Sequence, residues 1–366
     1  MKKWIAWTLV LALLLCGCGG KTADDAGNAS AKGEPVIQET AVPETEAVPI
    51  ETTEETTVPT EPEIFRNPLN GEILDAPFTG RVYASTISNL QENLPHVGVN
   101  HADVVMEMYV NMNNVVRCLA LFTDIESVDA VGSTRSTRPI FNDIAQHYDL
   151  VLSHAGGSST ALNDAANRGI DNFNVDSWEV AQTGASYRDT VYKRSYENSL
   201  FMVGPAFRDY AESKGVAMEL EKDYGFRFGE EGTPANGESA DSISWTMVYG
   251  QAKKNTSFVY NAEMDKYVWN QYGKEMKDQI TDELEAFTNV IVMFAKNTNE
   301  GIYHIAELDG SGEGYFACGG KIVPIRWVHE KQTDAFTFFL ADGTPLQQGV
   351  GSTYIAIAPI GSAVKY

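Results

Sequence analysis

Arginine and hydroxyl side chains cluster in a segment that has the chemistry to bind an anion. Arg135, Ser136 and Arg138 lie in the sequence GSTRSTRP, directly before a predicted helix. A guanidinium group offers a rigid fork of N–H donors that matches a carboxylate or a phosphate. The start of a helix adds free backbone N–H groups that favour the same kind of ligand. The segment therefore predicts part of a pocket for a carboxylate or phosphate group.

A second segment supplies backbone donors and a candidate for acid–base chemistry. In the sequence SHAGGSST, His154 is followed by Gly156, Gly157 and Ser158 before another predicted helix. The glycines allow a ligand to approach the backbone closely, so we expect this loop to complete the pocket. His154 beside a serine is a weaker candidate for catalysis, because the sequence has neither a G-x-S-x-G elbow nor an H-E-x-x-H pair.

Both segments also have a structural interpretation. The arginines would then be exposed or pair with some of the many acidic side chains, and the Gly-Gly-Ser sequence would form an ordinary turn and helix cap. A single histidine is more often a hydrogen-bonded structural residue than a catalytic one.

The elements that must position these segments predict an α/β layered domain over residues 64–240. The predicted strands cover residues 102–110, 115–122 and 149–153, and the predicted helices cover residues 138–148, 160–169 and 204–215. Ser136 or Thr137 is expected to cap the first helix. If the first two helices follow neighbouring strands, their starts lie at one sheet edge, where open α/β sheets bind ligands.

Residues 241–366 have a different pattern, which predicts a β-rich antiparallel domain. Short runs rich in aromatic and β-branched residues alternate with turn signals such as Asp309-Gly310 and Asp342-Gly343. Runs at this spacing are typical of a sandwich or a barrel-like fold. The predicted class of the whole chain is α+β.

The first 18 residues are typical of a bacterial lipoprotein signal peptide. Lys2 and Lys3 precede an apolar run of twelve residues, which is too short to span a bilayer. The run ends in Leu-Cys-Gly-Cys, where Cys18 follows a small residue and resembles the lipidated cysteine of a lipobox. Cys16 is the competing site, but the bulky Leu15 precedes it. We expect acylation of Cys18, by palmitate or a similar chain, and an anchor on the extracytoplasmic face of the cell membrane.

Residues 19–63 are rich in Ala, Glu, Thr and Pro and predict a disordered acidic tether. The chain has 27 Lys and Arg against 50 Asp and Glu, a net charge of −23. Such an acidic protein is a poor candidate for nucleic-acid binding and for lying flat on anionic lipids.

The cysteines and histidines predict neither a metal site nor a cofactor. The sequence contains no CxxC motif and no His/Cys cluster at metal-ligand spacing. Cys118 and Cys318 are expected to be buried free thiols, with a disulfide as the alternative.

Several short blocks in a fixed order resemble the YerB-like family of bacterial lipoproteins. The blocks are NPLNG, ADVVMEMYV, VVRCLALF, GSTRSTRP, HAGGSSTA, NVIVMFA, GEGYFACGGKIVPIRW and TYIAIAP, and they span nearly everything after the acidic tether. The resemblance implies a membrane-anchored protein with an α/β N-terminal domain and a β-rich C-terminal domain. It implies no established activity.

The resemblance also adds residues and reveals departures. Glu107 and Arg117 retain the family pattern and join the candidate binding residues. Ser88-Asn89 replaces an Asp-Asn pair of the family, and residues 111–114 replace an acidic-Gly-Gly turn. Retained arginines and glycines with lost carboxylates favour binding over acid–base catalysis.

Three functional hypotheses follow. The preferred one is a lipoprotein that binds a small anionic or peptidic molecule of the cell envelope. The alternatives are a cell-wall or glycan hydrolase that uses His154, and a non-catalytic scaffold with an envelope protein partner. The pocket hypotheses require Glu107, Arg135, Arg138 and His154 to converge on one concave site, and scattered positions would favour the scaffold.

Overall fold

A mixed sheet of twelve strands runs through both halves of the chain. The structure, a computed structural model, describes residues 64–111, 115–230 and 232–366. The predicted signal peptide with Cys18, the tether, and residues 112–114 of the predicted connection lie outside the described residues.

Residues 64–240 contribute twelve of the described strands and four α-helices. The strands are β1 (Phe65–Arg66), β2 (Ile73–Leu74), β3 (Tyr83–Ser88), β4 (Val104–Asn111), β5 (Val115–Phe122), β6 (Val131–Gly132), β7 (Val151–His154), β8 (Asn172–Asn174), β9 (Ser186–Arg188), β10 (Leu200–Met202), β11 (Phe228–Gly229) and β12 (Glu238–Ser239). The helices are α1 (Pro139–Tyr148), α2 (Ser159–Arg168), α3 (Trp178–Gln182) and α4 (Gly204–Ser213).

Residues 241–366 contribute only strands to the described structure, apart from turns. They are β13 (Ser242–Tyr249), β14 (Ala252–Asn261), β15 (Lys266–Gln271), β16 (Lys274–Glu275), β17 (Ala286–Phe287), β18 (Asn289–Glu300), β19 (Tyr303–Glu307), β20 (Gly310–Cys318), β21 (Lys321–His329), β22 (Thr337–Leu340), β23 (Gln348–Gly349), β24 (Thr353–Pro359) and β25 (Val364–Lys365).

The large sheet has the order β12-β21-β20-β18-β19-β4-β5-β3-β7-β8, and β22 pairs with β21. β24 lies between β18 and β4 and is parallel to both. The second half is β-rich as predicted and most of its strand pairs are antiparallel, but β24 departs from the predicted antiparallel arrangement. All seven residues of β24 are buried, as suits a strand in the middle of a sheet that is covered on both faces.

A six-stranded antiparallel sheet, with the order β16-β15-β14-β13-β25 and β17 beside β15, covers one face of the large sheet. Successive residues of β4 and β5 point to opposite faces. Tyr109 and Cys118 pack in one core with Trp269 of the smaller sheet. Leu119 packs in a second core on the other face with Ile140 of α1.

A layered α/β N-terminal domain is not confirmed, although the structure does combine strands with a few helices. In the first half, β3 pairs in parallel with β7 and β7 with β8, whereas β5 pairs antiparallel with β3 on one side and with β4 on the other. The boundary predicted at residue 240 separates two sequence segments but not two cores. The described residues from 64 onward belong to one compact unit, and each core contains side chains from both segments.

The two helices after the predicted binding segments begin in different ways. α1 starts at Pro139, and its N-cap is Arg138, which makes no side-chain cap hydrogen bond. The prediction that Ser136 or Thr137 caps this helix is wrong, because the fixed φ of Pro139 places the first helical residue later. At α2, the Oγ of Ser158 accepts a hydrogen bond from the backbone N–H of Ala161.

Cys118 and Cys318 are free and buried, as predicted. None of the described helices is both long and apolar enough to cross a bilayer.

Candidate functional site

The two predicted binding segments lie side by side at the end of β3 and β7. The backbone N–H of Arg135 donates to Thr86 O of β3, at 2.8 Å. The N–H of Ala155 donates to Arg135 O, and that of Thr137 donates to Gly156 O, both at 2.9 Å. These bonds fix residues 135–137 beside the glycine loop.

Arg117 brings a buried positive charge to this place from the neighbouring strand. It lies on β5 opposite Ser88 of β3 and Met108 of β4, on the face that packs against α1. Its side chain is almost fully buried, and Nη1 donates to Ser136 O. No carboxylate of the described residues lies within ion-pair distance of it. Burial, together with the charges of Arg138 and Arg135, holds the pKa of Arg117 well below its usual value.

Arg138 is half-buried and also lacks a carboxylate partner in the described chain. Its Nε donates to Asn111 Oδ1 at 2.9 Å, and its Nη1 donates to Thr137 O at 2.7 Å. The guanidinium carbon lies 5.3 Å from the centre of the Tyr303 ring, within the range of a cation–π contact. Burial lowers the pKa of Arg138, and the charge of Arg135 lowers it further.

Among Arg117, Arg135 and Arg138, only Arg135 has an acidic partner in the described residues, and their ion pair is weak. Its Nη1 donates to the backbone O of Glu197 at 2.6 Å, and its Nη2 lies 3.5 Å from Glu197 Oε2. The Glu197 side chain is 79% exposed, so water screens this pair strongly. We refer to Arg117, Arg135 and Arg138 as the arginine cluster. It is a concentration of positive charge in a strongly acidic chain, with little compensation from the residues described around it.

His154 is fully engaged in the fold. Its Nδ1 lies 2.8 Å from Gly156 O, and its Nε2 lies 3.1 Å from Asn172 Oδ1. The ring is buried, and burial lowers the pKa of His154 despite these hydrogen bonds. Neither ring nitrogen is free to exchange a proton with a substrate in this arrangement.

The glycine loop is also occupied by structural contacts. The Gly156 N–H donates to Asn174 Oδ1 at 2.8 Å. A Cβ added at Gly157 would lie 2.8 Å from Thr137 Cγ2, so this glycine permits the close packing of the two segments. The Ser158 hydroxyl serves α2 as its cap. Of the predicted ligand donors, the loop therefore retains only backbone N–H groups at the start of α2.

Glu107 lies on the opposite face of the sheet from the arginine cluster. It is fully buried beneath the smaller sheet and lies 3.3 Å from Lys254 Nζ. Asn89 Nδ2 and Thr256 Oγ1 donate to its carboxylate at 2.5 and 3.0 Å. The pocket hypotheses required Glu107, Arg135, Arg138 and His154 to converge, and Glu107 does not lie with the other three. By that criterion a pocket built on all four residues is excluded, and an anion site would have to use the arginines without Glu107. Glu107 is separated from the arginines because Glu107 and Arg117 have opposite strand parity on β4 and β5.

Three residues that sequence reasoning missed complete the surroundings of the arginine cluster: Asn111, Glu197 and Tyr303. Asn111 ends β4 at the position where the chain departs from the family pattern, which was a usable signal. Tyr303 and Glu197 are distant in sequence from the arginines, and nothing in their local pattern distinguishes them.

The comparisons with known proteins agree with this fold. The model of DUF3048, described as a protein of unknown function, matches with its N-terminal domain over residues 69–217 and with its C-terminal domain over residues 245–355. "Putative lipoprotein YerB" of Bacillus subtilis (strain 168) is 23% identical over 306 residues, which cover 78% of this chain and 86% of that protein. The crystal structure of the YerB protein from Bacillus subtilis matches with a TM-score of 0.69 and 19% identity, over 82% of this chain and 99% of that chain. At this identity, the structural match shows the fold alone.

Proposed function

This chain belongs to the DUF3048 family, whose function is unknown, and we propose that it binds a small anionic ligand through the arginine cluster. The ligand class is a phosphate ester or the terminal carboxylate of a peptide. A guanidinium fork matches both groups. The start of α1 is the positive end of the helix dipole and favours an anion as well.

The observation that carries this proposal is the burial of Arg117 without a carboxylate partner among the described residues. Taking a guanidinium ion out of water costs several kcal/mol unless hydrogen bonds and an opposite charge compensate. One backbone carbonyl is a small compensation, and Arg138 and Arg135 add repulsion. An anion bound between the three arginines would supply the missing charge.

We also propose that the protein is anchored through an acylated Cys18 on the extracytoplasmic face of the membrane. The relative in Bacillus subtilis carries the name of a lipoprotein, which supports an envelope location. The lipobox-like Leu-Cys-Gly-Cys and the acidic segment after it support the anchor and the tether. In that location, the available ligands are molecules of the cell envelope.

The arrangement around His154 does not favour the hydrolase alternative. It requires a free imidazole nitrogen at His154, and both nitrogens have partners. The separation of Glu107 from the arginines favours the scaffold alternative, whereas the burial of Arg117 without a described counter-ion favours anion binding. The scaffold predicts no response to small anions, so one experiment tests both.

Thermal unfolding of the full chain in the presence of inorganic phosphate or the dipeptide alanyl-alanine tests the proposal. At a hundred-fold excess over Kd, a ligand that binds only the folded state stabilises it by about 2.7 kcal/mol, so the unfolding temperature rises. We expect this rise in the wild type and not in Arg138→Ala. Sodium chloride at matched ionic strength separates binding from screening.

Arg326→Ala is the matched control, because Arg326 is exposed and lies outside the cluster. It should respond to the ligand like the wild type. Equal responses of Arg138→Ala and the wild type, or no response of the wild type to either probe, would contradict the proposal and favour the scaffold.

A further inference from the structure

Two buried histidines and an aspartate meet where the end of α1 contacts the strands of the second half. His147 lies in the last turn of α1, and His329 ends β21. Asp309 lies in the turn before β20, next to Gly310, which pairs with His329 across the sheet. The three residues are far apart in sequence, so no motif predicts their meeting.

Their ligand atoms lie close enough together to be candidates for binding one metal ion. One nitrogen of each histidine and one carboxylate oxygen of Asp309 all lie within 4.8 Å of one another. The two imidazole rings are 3.9 Å apart between centroids and tilted by 41°. His329 Nδ1 lies 3.3 Å from Asp309 Oδ1. Neighbouring ligands of a tetrahedral zinc ion with bonds near 2.0–2.1 Å are also separated by about 3.3 Å.

The histidine nitrogens lack the partners that buried polar atoms ordinarily have. His147 Nδ1, His329 Nδ1 and His329 Nε2 are buried and make no hydrogen bond to any described residue. Although His329 Nδ1 is close to Asp309, the two atoms do not meet the geometry of a hydrogen bond. A buried polar atom without a hydrogen-bond partner is unfavourable for folding. A cation between the three residues would satisfy these nitrogens and the carboxylate together.

Among the described residues, the positively charged side chains near His147 are those of Arg168 and Lys222. Of the nearby cations, Arg168 is already paired with Asp143 and Asp164, which reduces its repulsion of a metal ion.

We propose that His147, His329 and Asp309 bind a divalent transition-metal ion, with Zn²⁺ the best match. Two imidazoles and one carboxylate are a ligand set that zinc accepts, and three protein ligands leave a fourth position open. The side chain of Asp309 is 87% exposed, so the cluster borders on solvent. The ion would connect α1 of the first half to the β20–β21 hairpin of the second half.

The test uses the full chain, purified without a histidine tag and treated with a chelator. Zn²⁺ is titrated in competition with a chromophoric chelator, and Co²⁺ is titrated by visible absorption, which reports tetrahedral coordination. We expect one equivalent of either metal in the wild type. Asp309→Ala should weaken binding by about tenfold or more, and His329→Ala should weaken it further.

Asp309 is exposed, so Asp309→Ala keeps the test valid if a histidine variant does not fold. His101→Ala is the matched control, since His101 is exposed and outside the cluster, and it should bind like the wild type. A wild type that takes up no metal, or equal affinities of the wild type and Asp309→Ala, would overturn the proposal.

Discussion

Two charged side chains on neighbouring strands are buried, one with a counter-ion among the described residues and one without. Glu107 on β4 has Lys254 at 3.3 Å and further donors around its carboxylate. Arg117 on β5 faces two other arginines and no described carboxylate. A buried pair that is complete supports the fold, whereas a buried charge without a counter-ion points to a ligand. The two residues therefore have different expected roles, although both were predicted as binding residues.

The role of Glu107 predicts a loss of stability. Glu107→Ala should lower the free energy of unfolding by about 3–5 kcal/mol, because it leaves Lys254 buried without its counter-ion, although Lys254 keeps its hydrogen bond to Gln271. Glu307→Ala is a matched control, since Glu307 pairs with Lys296 at 2.8 Å on the surface, and we expect a loss of about 0–1 kcal/mol. Urea unfolding at pH 7 measures both. Equally small losses in both variants would show that the buried pair stabilises the fold no more than the surface pair does.

His147 predicts a dependence of stability on pH. Its pKa is lowered from 6.5 to about 3 in the folded state, so between these values the unfolded state binds more protons. The free energy of unfolding should therefore fall as the pH drops from about 6.5 towards 3, by up to about 1.4 kcal/mol per pH unit. In His147→Gln this part of the slope should vanish. Urea unfolding between pH 7 and 4, with a chelator present, measures the slopes, and identical slopes would contradict the assignment.

At the scale of elements, the two longest strands of the large sheet that were not predicted from the sequence are β3 and β20. The β20 sequence GSGEGYFAC resembles a turn, yet this strand pairs with β18 and β21 in the large sheet. Close packing requires the glycines: a Cβ at Gly312 would lie 2.5 Å from the Trp327 ring, and one at Gly314 would lie 2.3 Å from Val292 O. A strand interior that needs glycine is easily taken for a loop.

This packing predicts that Gly314→Ala is destabilising. Because Val292 O belongs to the neighbouring backbone, it cannot move aside, and we expect a loss of about 1–3 kcal/mol in the free energy of unfolding. Glu313→Ala, on the exposed face of the same strand, should change it by less than about 0.5 kcal/mol. Chemical unfolding of both variants measures these changes. An unchanged free energy of unfolding in Gly314→Ala would show that the strand can shift to make room for the added methyl group.

Much of the element pattern could be predicted because it depends on local residues. β5 has the predicted bounds, and α1 and α2 were predicted to within one residue at each end. The pairing of β24 with strands of both halves was not predictable, because it depends on contacts between distant segments. The same limit applies to the site. The sequence identified Arg135 and Arg138, but only the strand register places Arg117 beside them and Glu107 on the other face.

At the scale of the whole molecule, the large sheet joins both family segments into one body. β4 of the first segment and β18 of the second both pair with β24. The arginine cluster draws on both segments, because Tyr303 of β19 lies against Arg138. Separating the chain at residue 240 would therefore divide the sheet and the candidate site.

The proposed anchor predicts the behaviour of the chain in cells. Cys18→Ala should abolish labelling by an alkyne analogue of palmitate and release the protein from the membrane fraction. The reason is that a lipoprotein cysteine carries more than one acyl chain, which is enough for stable anchoring, whereas the variant carries none. Cys16→Ala should remain labelled and membrane-bound. A labelled Cys18→Ala variant, or an unlabelled Cys16→Ala variant, would place the lipid elsewhere.

The central claim is that Arg117, Arg135 and Arg138 form a binding site for a small anion. Isothermal titration of the full chain with inorganic phosphate and with alanyl-alanine, comparing the wild type, Arg117→Met and Arg326→Ala, tests it most directly. Methionine fills a similar volume without the charge, so circular dichroism should show an intact fold. We predict one saturable site for at least one probe in the wild type and in Arg326→Ala, and none in Arg117→Met. Unchanged affinity in Arg117→Met, or no saturable heat in the wild type with either probe, would contradict the claim.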